Sequence, residues 1–287
     1  MNLKTKDTFF SSKSTVNIRG KILDLGTPKV MGIVNLTPDS FYDGGAYLTD
    51  KEALKRAEQI LTEGGTIIDL GAYSSRPGAE EISPEEELKR LLPALKAIVK
   101  EFPEAVISAD TFRAEVAEAS VNEGACIIND ISGGELDDKM FETIARLQVP
   151  YILMHMRGNP QKMNRLTDYE DILKELLNYF SQKVFRLREL GVKDVIIDPG
   201  FGFAKTKEQS FRLLKELNYF KILNLPILTG VSRKSMIYKT LDTSPGQALN
   251  GTTVLNTVCL LNGANILRVH DVKEAIEAIK LINLINY

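Results

Sequence analysis

The stretch "IIDPGFGFAKT", residues 196–206, decides the fold. Its tail, Gly202-Phe203-Ala204-Lys205-Thr206, hints at the phosphate-gripping loop G-x-x-x-x-G-K-[ST]. That loop needs Gly directly before the Lys so that backbone N–H groups can wrap phosphates. Ala204 stands in that place, and Gly200 is one residue too close. The reading that remains is an apolar strand delivering Asp198 at its C-terminal end, followed by a turn of glycines.

Seven more apolar runs read the same way: "KVMGIVN" (29–35), "TIIDLG" (66–71), "AVISAD" (105–110), "CIIND" (126–130), "YILMHM" (151–156), "PILTG" (226–230) and "ILRVHD" (266–271). Near-continuous Val/Ile/Leu runs are expected of parallel strands buried on both faces. Amphipathic stretches separate them, among them "TDKEALKRAEQILTEGG" and "SPEEELKRLLPALKAIVKEF". The second opens on Ser83-Pro84-Glu85-Glu86, a capping box with Pro at the first helical position. Several helical stretches end in glycine, at Gly64-Gly65, Gly124, Gly191 and Gly263. Eight β-then-α units of this length predict an α/β chain folded as a single-domain (β/α)₈ TIM barrel spanning 1–287. A doubly wound open sheet is the alternative, and the evenness of the units favours the barrel. Residues 15–25, "TVNIRGKILDL", read as a β-hairpin turning at Arg19-Gly20 that can plug the N-terminal end, the bottom, of the barrel, and residues 1–14 read as a flexible N-terminal segment.

The bulk numbers exclude several classes. With 287 residues, 44% of them hydrophobic, the chain can bury a large core. A net charge of −2 offers no basic field for nucleic acid or anionic lipid. Cys126 and Cys259 lie in apolar runs and read as buried thiols. With only His155 and His270 to join them, they make neither a disulfide framework nor a zinc site. The N-terminus lacks a secretory apolar core, and no run is long enough to cross a bilayer. A soluble, cytoplasmic protein is expected.

In a TIM barrel the chemistry sits at the C-terminal ends of the strands. The predicted strands end at or just beyond Asn35, Asp110, Asn129-Asp130 and Asp198. Others lead into Ser74-Ser75-Arg76-Pro77-Gly78, into His155 and Arg157, into Ser232-Arg233-Lys234, and into Arg268 and His270. Any one of these alone reads as a strand-end cap. Together, Asp110, Asn129 and Asp198 suit a flat heterocycle rich in N–H donors, such as an aminopyrimidine, because carboxylates accept from its amino and ring N–H groups. Arg76, Arg268, His270 and Lys234 form a cationic group able to hold an anion, with arginine offering a bidentate fork to phosphate. Asn35 is a neutral oxygen ligand suited to Mg²⁺, which keeps several waters and also binds a diphosphate. The long loops "LTPDSFYDGGAY" and "AYSSRPGAEEIS" read as lids.

The segments "MGIVNLTPDSFYDGG", "SSRPGAE", "ISADT", "IINDISGG", "LMHMRGNP", "IIDPGFGFAKT", "TGVSRKSMI" and "LRVHDV", in this order, resemble the dihydropteroate synthases of folate biosynthesis, from about residue 15 to the last helix. The resemblance implies a transferase. It joins 6-hydroxymethyl-7,8-dihydropterin diphosphate to p-aminobenzoate and releases diphosphate by an SN1-like displacement assisted by Mg²⁺. By the same resemblance, Asp110, Asn129, Met154, Asp198 and Lys234 hold the pterin. Asn35, Arg76, Arg268 and His270 bind the diphosphate, and Asn35 also contacts the metal. Phe41, Ser75, Pro77, Phe203, Ser232 and Lys234 frame p-aminobenzoate, and Asp39 belongs to a mobile loop. Asp198, Lys234, Arg268 and Asn35 are the implied catalytic set. The resemblance also implies a homodimer and a target for sulfonamides.

One segment departs from the family pattern G-G-E-S-T-R-P-G: here it reads Gly71-Ala72-Tyr73-Ser74-Ser75-Arg76-Pro77-Gly78, with Tyr73 in place of an acid. Tyr42 stands where a small Ser is common and is expected to point outward. Three other readings compete: a pterin-dependent methyltransferase, an aldolase-like barrel with Lys234 as Schiff-base lysine, and a non-catalytic pterin binder. The phosphate-type residues argue against the first and third.

Overall fold

The computed structural model describes residues 14–37, 50–74 and 81–285. The N-terminal segment up to residue 13, Asp39, Phe41 and Tyr42 of the first loop, and Ser75, Arg76 and Pro77 of the second lie outside the described residues.

Two strands come first, β1 (Thr15–Ile18) and β2 (Lys21–Asp24), paired antiparallel. The turn between them places Arg19 at φ 51° and Gly20 at φ 81°, the double positive-φ turn whose twist matches a hairpin. Eight parallel strands follow: β3 (Lys29–Asn35), β4 (Ile67–Gly71), β5 (Val106–Asp110), β6 (Ile127–Asp130), β7 (Tyr151–Met154), β8 (Val195–Asp198), β9 (Leu228–Thr229) and β10 (Ile266–Val269). Their order is β8-β7-β6-β5-β4-β3-β10-β9. A parallel bridge between Ile197 and Ile227 joins the two ends and closes the barrel. β9 is shorter than the run "PILTG" suggests. Pro226 has no N–H to give to a ladder, although its carbonyl accepts from Ile197 N at 3.0 Å.

Between and after the strands lie α1 (Asp50–Thr62), α2 (Pro84–Glu101), α3 (Ala114–Asn122), α4 (Met140–Leu147), α5 (Ile172–Glu189), α6 (Lys207–Lys215), α7 (Ser235–Tyr238), α8 (Leu249–Leu261) and α9 (Val272–Ile285). The sequence starts α2 where expected. Ser83 accepts from Glu86 N at 3.3 Å with Pro84 in the first turn of α2. Thr206 caps α6 through a capping box with Gln209. The Lys-Thr pair that hints at a phosphate loop therefore ends in a helix cap.

Strand alternation builds two cores. Outward residues such as Val30, Ile68, Ile107, Ile128, Leu153, Ile197 and Leu267 pack with the helices. Inward residues Met31, Ile67, Ile127, Ile152, Ile196, Leu228 and Ile266 fill the bottom of the barrel, where Val16, Ile18 and Leu25 cover them. The hairpin is thus the expected plug, each buried side chain contributing about 1.5–3 kcal/mol. One step further up, the inward face turns polar. Asp69, Ser108, Asn129, Asp198 and Arg268 each sit two residues beyond one of these apolar positions or their half-buried counterpart Val106. Cys126 and Cys259 are buried free thiols, as expected. No described helix is long and apolar enough to cross a membrane.

Candidate active site

The polar layer at the mouth is held by one arginine. Arg268 Nε donates to Asp69 Oδ2 at 2.6 Å, and Arg268 Nη2 donates to Asp110 Oδ2 at 2.6 Å. Asn129 Nδ2 donates to the same Asp69 oxygen at 3.1 Å, which leaves the Asn129 amide oxygen for an incoming donor. Asp69 is fully buried and its Oδ1 has no partner. Burial alone would weaken the Arg268 charge, but Asp69 and Asp110 outweigh it and hold the guanidinium above its ordinary value. Burial pushes the Asp110 carboxyl up to about 7 against the pull of Arg268.

On the opposite side of the barrel, Asp198 ends β8 at 5% exposure and accepts from Gly200 N at 2.8 Å. Burial raises its carboxyl, opposed by Lys234, the Gly200 N–H, Arg268 and Lys205. Gly200 has φ 68°, and a Cβ there would lie 2.3 Å from the His155 carbonyl, so only glycine lets the loop pass. Lys234 donates to the Phe201 carbonyl and lies 4.6 Å from the centre of the Phe203 ring. Burial pulls this lysine down to about 8, with Asp198 resisting. Met154 is 3% exposed and packs with Phe112, Ile131, Met156, Met163 and Ala204, against which Tyr73 and Phe203 are half-buried.

Ser232 and His270 meet after β9 and β10. Ser232 Oγ lies 3.0 Å from His270 Nδ1 and accepts from His270 N at 3.2 Å. Burial, reinforced by Arg268, lowers the imidazole to about 4. His270 is therefore a neutral hydrogen-bonding group at pH 7, which corrects its grouping with the cations. Arg268 is likewise no free cation, since two carboxylates already balance it. Of the sequence-predicted residues, Asp110, Asn129, Met154, Asp198, Phe203, Ser232, Lys234, Arg268 and His270 gather at this mouth, and Asn35 ends β3 half-buried beside Gly71. Tyr73, the departure from the family pattern, meets Phe112 edge-on at 4.8 Å and accepts from Gln161 Nε2 at 3.0 Å.

Two residues escaped the sequence reading. Asp69 is hidden inside the apolar run "TIIDLG", and its signal is parity: it shares the inward face with Ile67. Lys205 belongs to a motif discounted as a phosphate loop, yet it is buried at 7% exposure behind the mouth.

The barrel lines its mouth with carboxylates, an amide and half-buried cations, and the family described as "Pterin binding enzyme" matches residues 31–270. The dihydropteroate synthase of Escherichia coli K12 is 43% identical over 266 residues, covering 92% of this chain and 94% of its own length. That of Synechocystis is 44% identical over 255 residues, covering 88% of each. Among solved structures, the Yersinia pestis dihydropteroate synthase with a sulfonamide drug complex superposes at a TM-score of 0.90 with 38% identity, covering 95% of this chain and 99% of its own. The Xanthomonas albilineans dihydropteroate synthase in complex with 7,8-dihydropteroate does so at 0.85 with 33% identity, covering 95% and 98%. The chain belongs to the pterin-binding enzymes and, within them, to the dihydropteroate synthases, a family of transferases in folate synthesis.

Proposed function

We propose that the chain condenses 6-hydroxymethyl-7,8-dihydropterin diphosphate with p-aminobenzoate to give 7,8-dihydropteroate and diphosphate. The observation that carries this reading is the set Asp110, Asn129, Asp198, Lys234 and Arg268 around one mouth, Asn129 and Asp198 buried and the other three half-buried. Asp110, the Asn129 amide oxygen and Asp198 accept from the pterin's amino and ring N–H groups, while Lys234 donates to a ring acceptor and Met154 lies near the rings. An analogue without those donors leaves buried acceptors unpaired and is rejected. Arg268 has five N–H donors. Two are used on Asp69 and Asp110, and the rest serve the diphosphate with Asn35, Arg76 and neutral His270. Phe203, Ser232 and Lys234 frame the aromatic amine, and the family resemblance assigns Phe41, Ser75 and Pro77 to the same task and Asp39 to the first loop.

The donor set suits a metal brought by the substrate. Among the described residues no three His, Cys, Asp or Glu side chains cluster to hold an ion, while Asn35 offers one neutral oxygen of the kind Mg²⁺ takes alongside waters and phosphate. Bound with the diphosphate, Mg²⁺ would neutralise the leaving group's charge. The chain's own residues do the rest. As the carbon–oxygen bond breaks with its electron pair leaving on the diphosphate, positive charge spreads into the pterin, and the Asp198 carboxylate stabilises it. The amine nitrogen then forms the new bond to that carbon with its lone pair and passes its surplus proton to solvent. Positioning and charge supply the catalysis, with no covalent enzyme intermediate.

Leu281, Leu284 and Ile285 of α9, with Val254 and Leu261 of α8, are exposed apolar residues, which supports a homodimer through these helices. The function is tested by incubating the chain with the pterin diphosphate, p-aminobenzoate and Mg²⁺. The mass of 7,8-dihydropteroate, in step with diphosphate, is expected. Pterin binding with no product under any of these conditions would refute the reading.

A further inference from the structure

In Ser232-Arg233-Lys234 three polar side chains follow one another, and the proposed function uses only the first and the third. Arg233, between them, has φ 55°, in the left-handed region that residues with a Cβ adopt uncommonly. A residue held there strains the chain and persists only where its surroundings over-determine it, most often at functional sites.

The surroundings of Arg233 do this from three sides. Its backbone N–H donates to Thr252 Oγ1, buried on α8, at 3.0 Å. Its guanidinium forms a fork on Asp271, with Nε donating to Oδ2 at 2.9 Å and Nη2 to Oδ1 at 2.6 Å. Nη1 donates to the Pro245 carbonyl at 3.3 Å and to the Gly246 carbonyl at 3.2 Å, just before α8. The two side chains of the pair are 28% and 15% exposed, so this fork has the geometry and shelter that a solvated surface pair lacks. With Arg233 turned to the frame of the barrel, its neighbours face the mouth. Ser232 Oγ meets the N–H and the ring of His270, while Lys234 reaches the Phe201 carbonyl and the Phe203 ring. Asp271 directly follows His270, whose carbonyl accepts from Arg56 of α1. The chain after β9 and the chain after β10 are therefore joined residue by residue, Ser232 to His270 and Arg233 to Asp271.

We infer that Arg233, through its fork on Asp271, is a positioning residue for the condensation: the clamp fixes Ser232 and Lys234 against His270 and so sets the geometry in which the pterin and the amine meet. The inference rests on the proposed synthase function. A chain that needed only the turn would be served better by glycine, which takes a positive φ without strain. Holding Lys234 in place is what the arginine side chain adds.

The test compares R233G, D271N, the double variant R233G/D271N and R233K with the wild-type enzyme in steady-state synthase assays. R233G keeps the turn and removes the clamp, D271N keeps the shape of the partner and removes its charge, and R233K keeps the charge without the planar fork. Folded enzyme is measured by circular dichroism and kcat is taken per folded enzyme, so a loss of stability alone leaves it unmoved. The expected result is a kcat about tenfold to a hundredfold lower in R233G, the scale of a small misplacement of reacting groups. D271N falls in the same direction, the double variant falls no further than the poorer single, as two groups acting as one require, and R233K lies between R233G and the wild type. A kcat for R233G within about twofold of the wild type makes the side chain incidental and overturns the inference. Losses that multiply in the double variant show two independent residues and do the same. If R233G fails to fold, D271N decides alone, and turnover within about twofold of the wild type there overturns the inference. Wild-type enzyme without product would instead strike the synthase reading itself.

Discussion

Replacing Asp69 by Ala removes the buried hinge of the mouth, and its cost can be worked from the contacts. Asp69 is fully buried, receives Arg268 Nε at 2.6 Å and Asn129 Nδ2 at 3.1 Å, and leaves Oδ1 unpartnered. Breaking a buried ion pair by removing one partner costs about 3–5 kcal/mol, because a charge is left uncompensated. Two features place this site at the low end. Asp110 still receives Arg268 Nη2, so the guanidinium keeps one counter-charge. The lone Oδ1 already makes the folded carboxylate costly, and the substitution relieves that penalty. The expected loss is about 3 kcal/mol, which for a domain of this size lowers Tm by about 6–12 °C. Urea denaturation of D69A, R268M and the double variant gives the coupling directly, and about 2 kcal/mol is expected between the two sites. Additivity within about 0.5 kcal/mol would refute the claim that Asp69 and Arg268 act as a pair.

Three further outcomes follow from the same structure. Lys234 is held at about 8, so pterin affinity measured by calorimetry should fall as pH rises through that value, and K234R should abolish the fall; affinity flat between pH 7 and 9 in the wild type would contradict the donor role. Because the folded Lys234 holds its proton less tightly than the unfolded one, its contribution to stability rises with pH between about 8 and the ordinary lysine value. His270, lowered to about 4, should show no imidazole titration between pH 5.5 and 8 in ¹⁵N NMR; its folded form binds fewer protons than the unfolded chain, so stability is lost as pH falls below the ordinary histidine value, and a midpoint near 6.5 would overturn the neutral assignment. L25A, at a fully buried position joining the hairpin to the strand ends, should cost about 2–4 kcal/mol while leaving kcat unchanged, and a cost below about 1 kcal/mol would mean that the plug does not stabilise the barrel.

Much of the fold is legible in the sequence. Parallel strands buried on both faces write themselves as short apolar runs, so "KVMGIVN" coincides with Lys29–Asn35 and "TIIDLG" with Ile67–Gly71 to within a residue. Gly20 marks the hairpin because glycine takes the positive φ that the turn requires without strain. Strand-end residues such as Asp110, Asn129 and Asp198 stand out because an apolar run stops at them. Asp69 does not, since Leu70 and Gly71 continue its run. Finding it requires knowing which parity faces the barrel axis, and a strand buried on both faces conceals that. The pairing of Arg268 with Asp69 and Asp110 spans 199 and 158 residues of sequence, a distance only the closed barrel removes. The state of His270 was also illegible: a histidine beside arginines reads as a cation until its burial is known. β9 shrinks to Leu228–Thr229 because the residues that close the barrel do so by a single bridge at Ile227.

The account turns on the charge of Asp198, and D198N tests it most directly. In a single turnover with saturating pterin diphosphate, Mg²⁺ and p-aminobenzoate, diphosphate and dihydropteroate are followed together while pterin binding and folding are checked separately. The account predicts a correctly folded variant that still binds the pterin but releases diphosphate at least about a hundredfold more slowly than the wild type, the scale of losing one preorganised electrostatic group. Release at a near-normal rate, coupled to product, would contradict it.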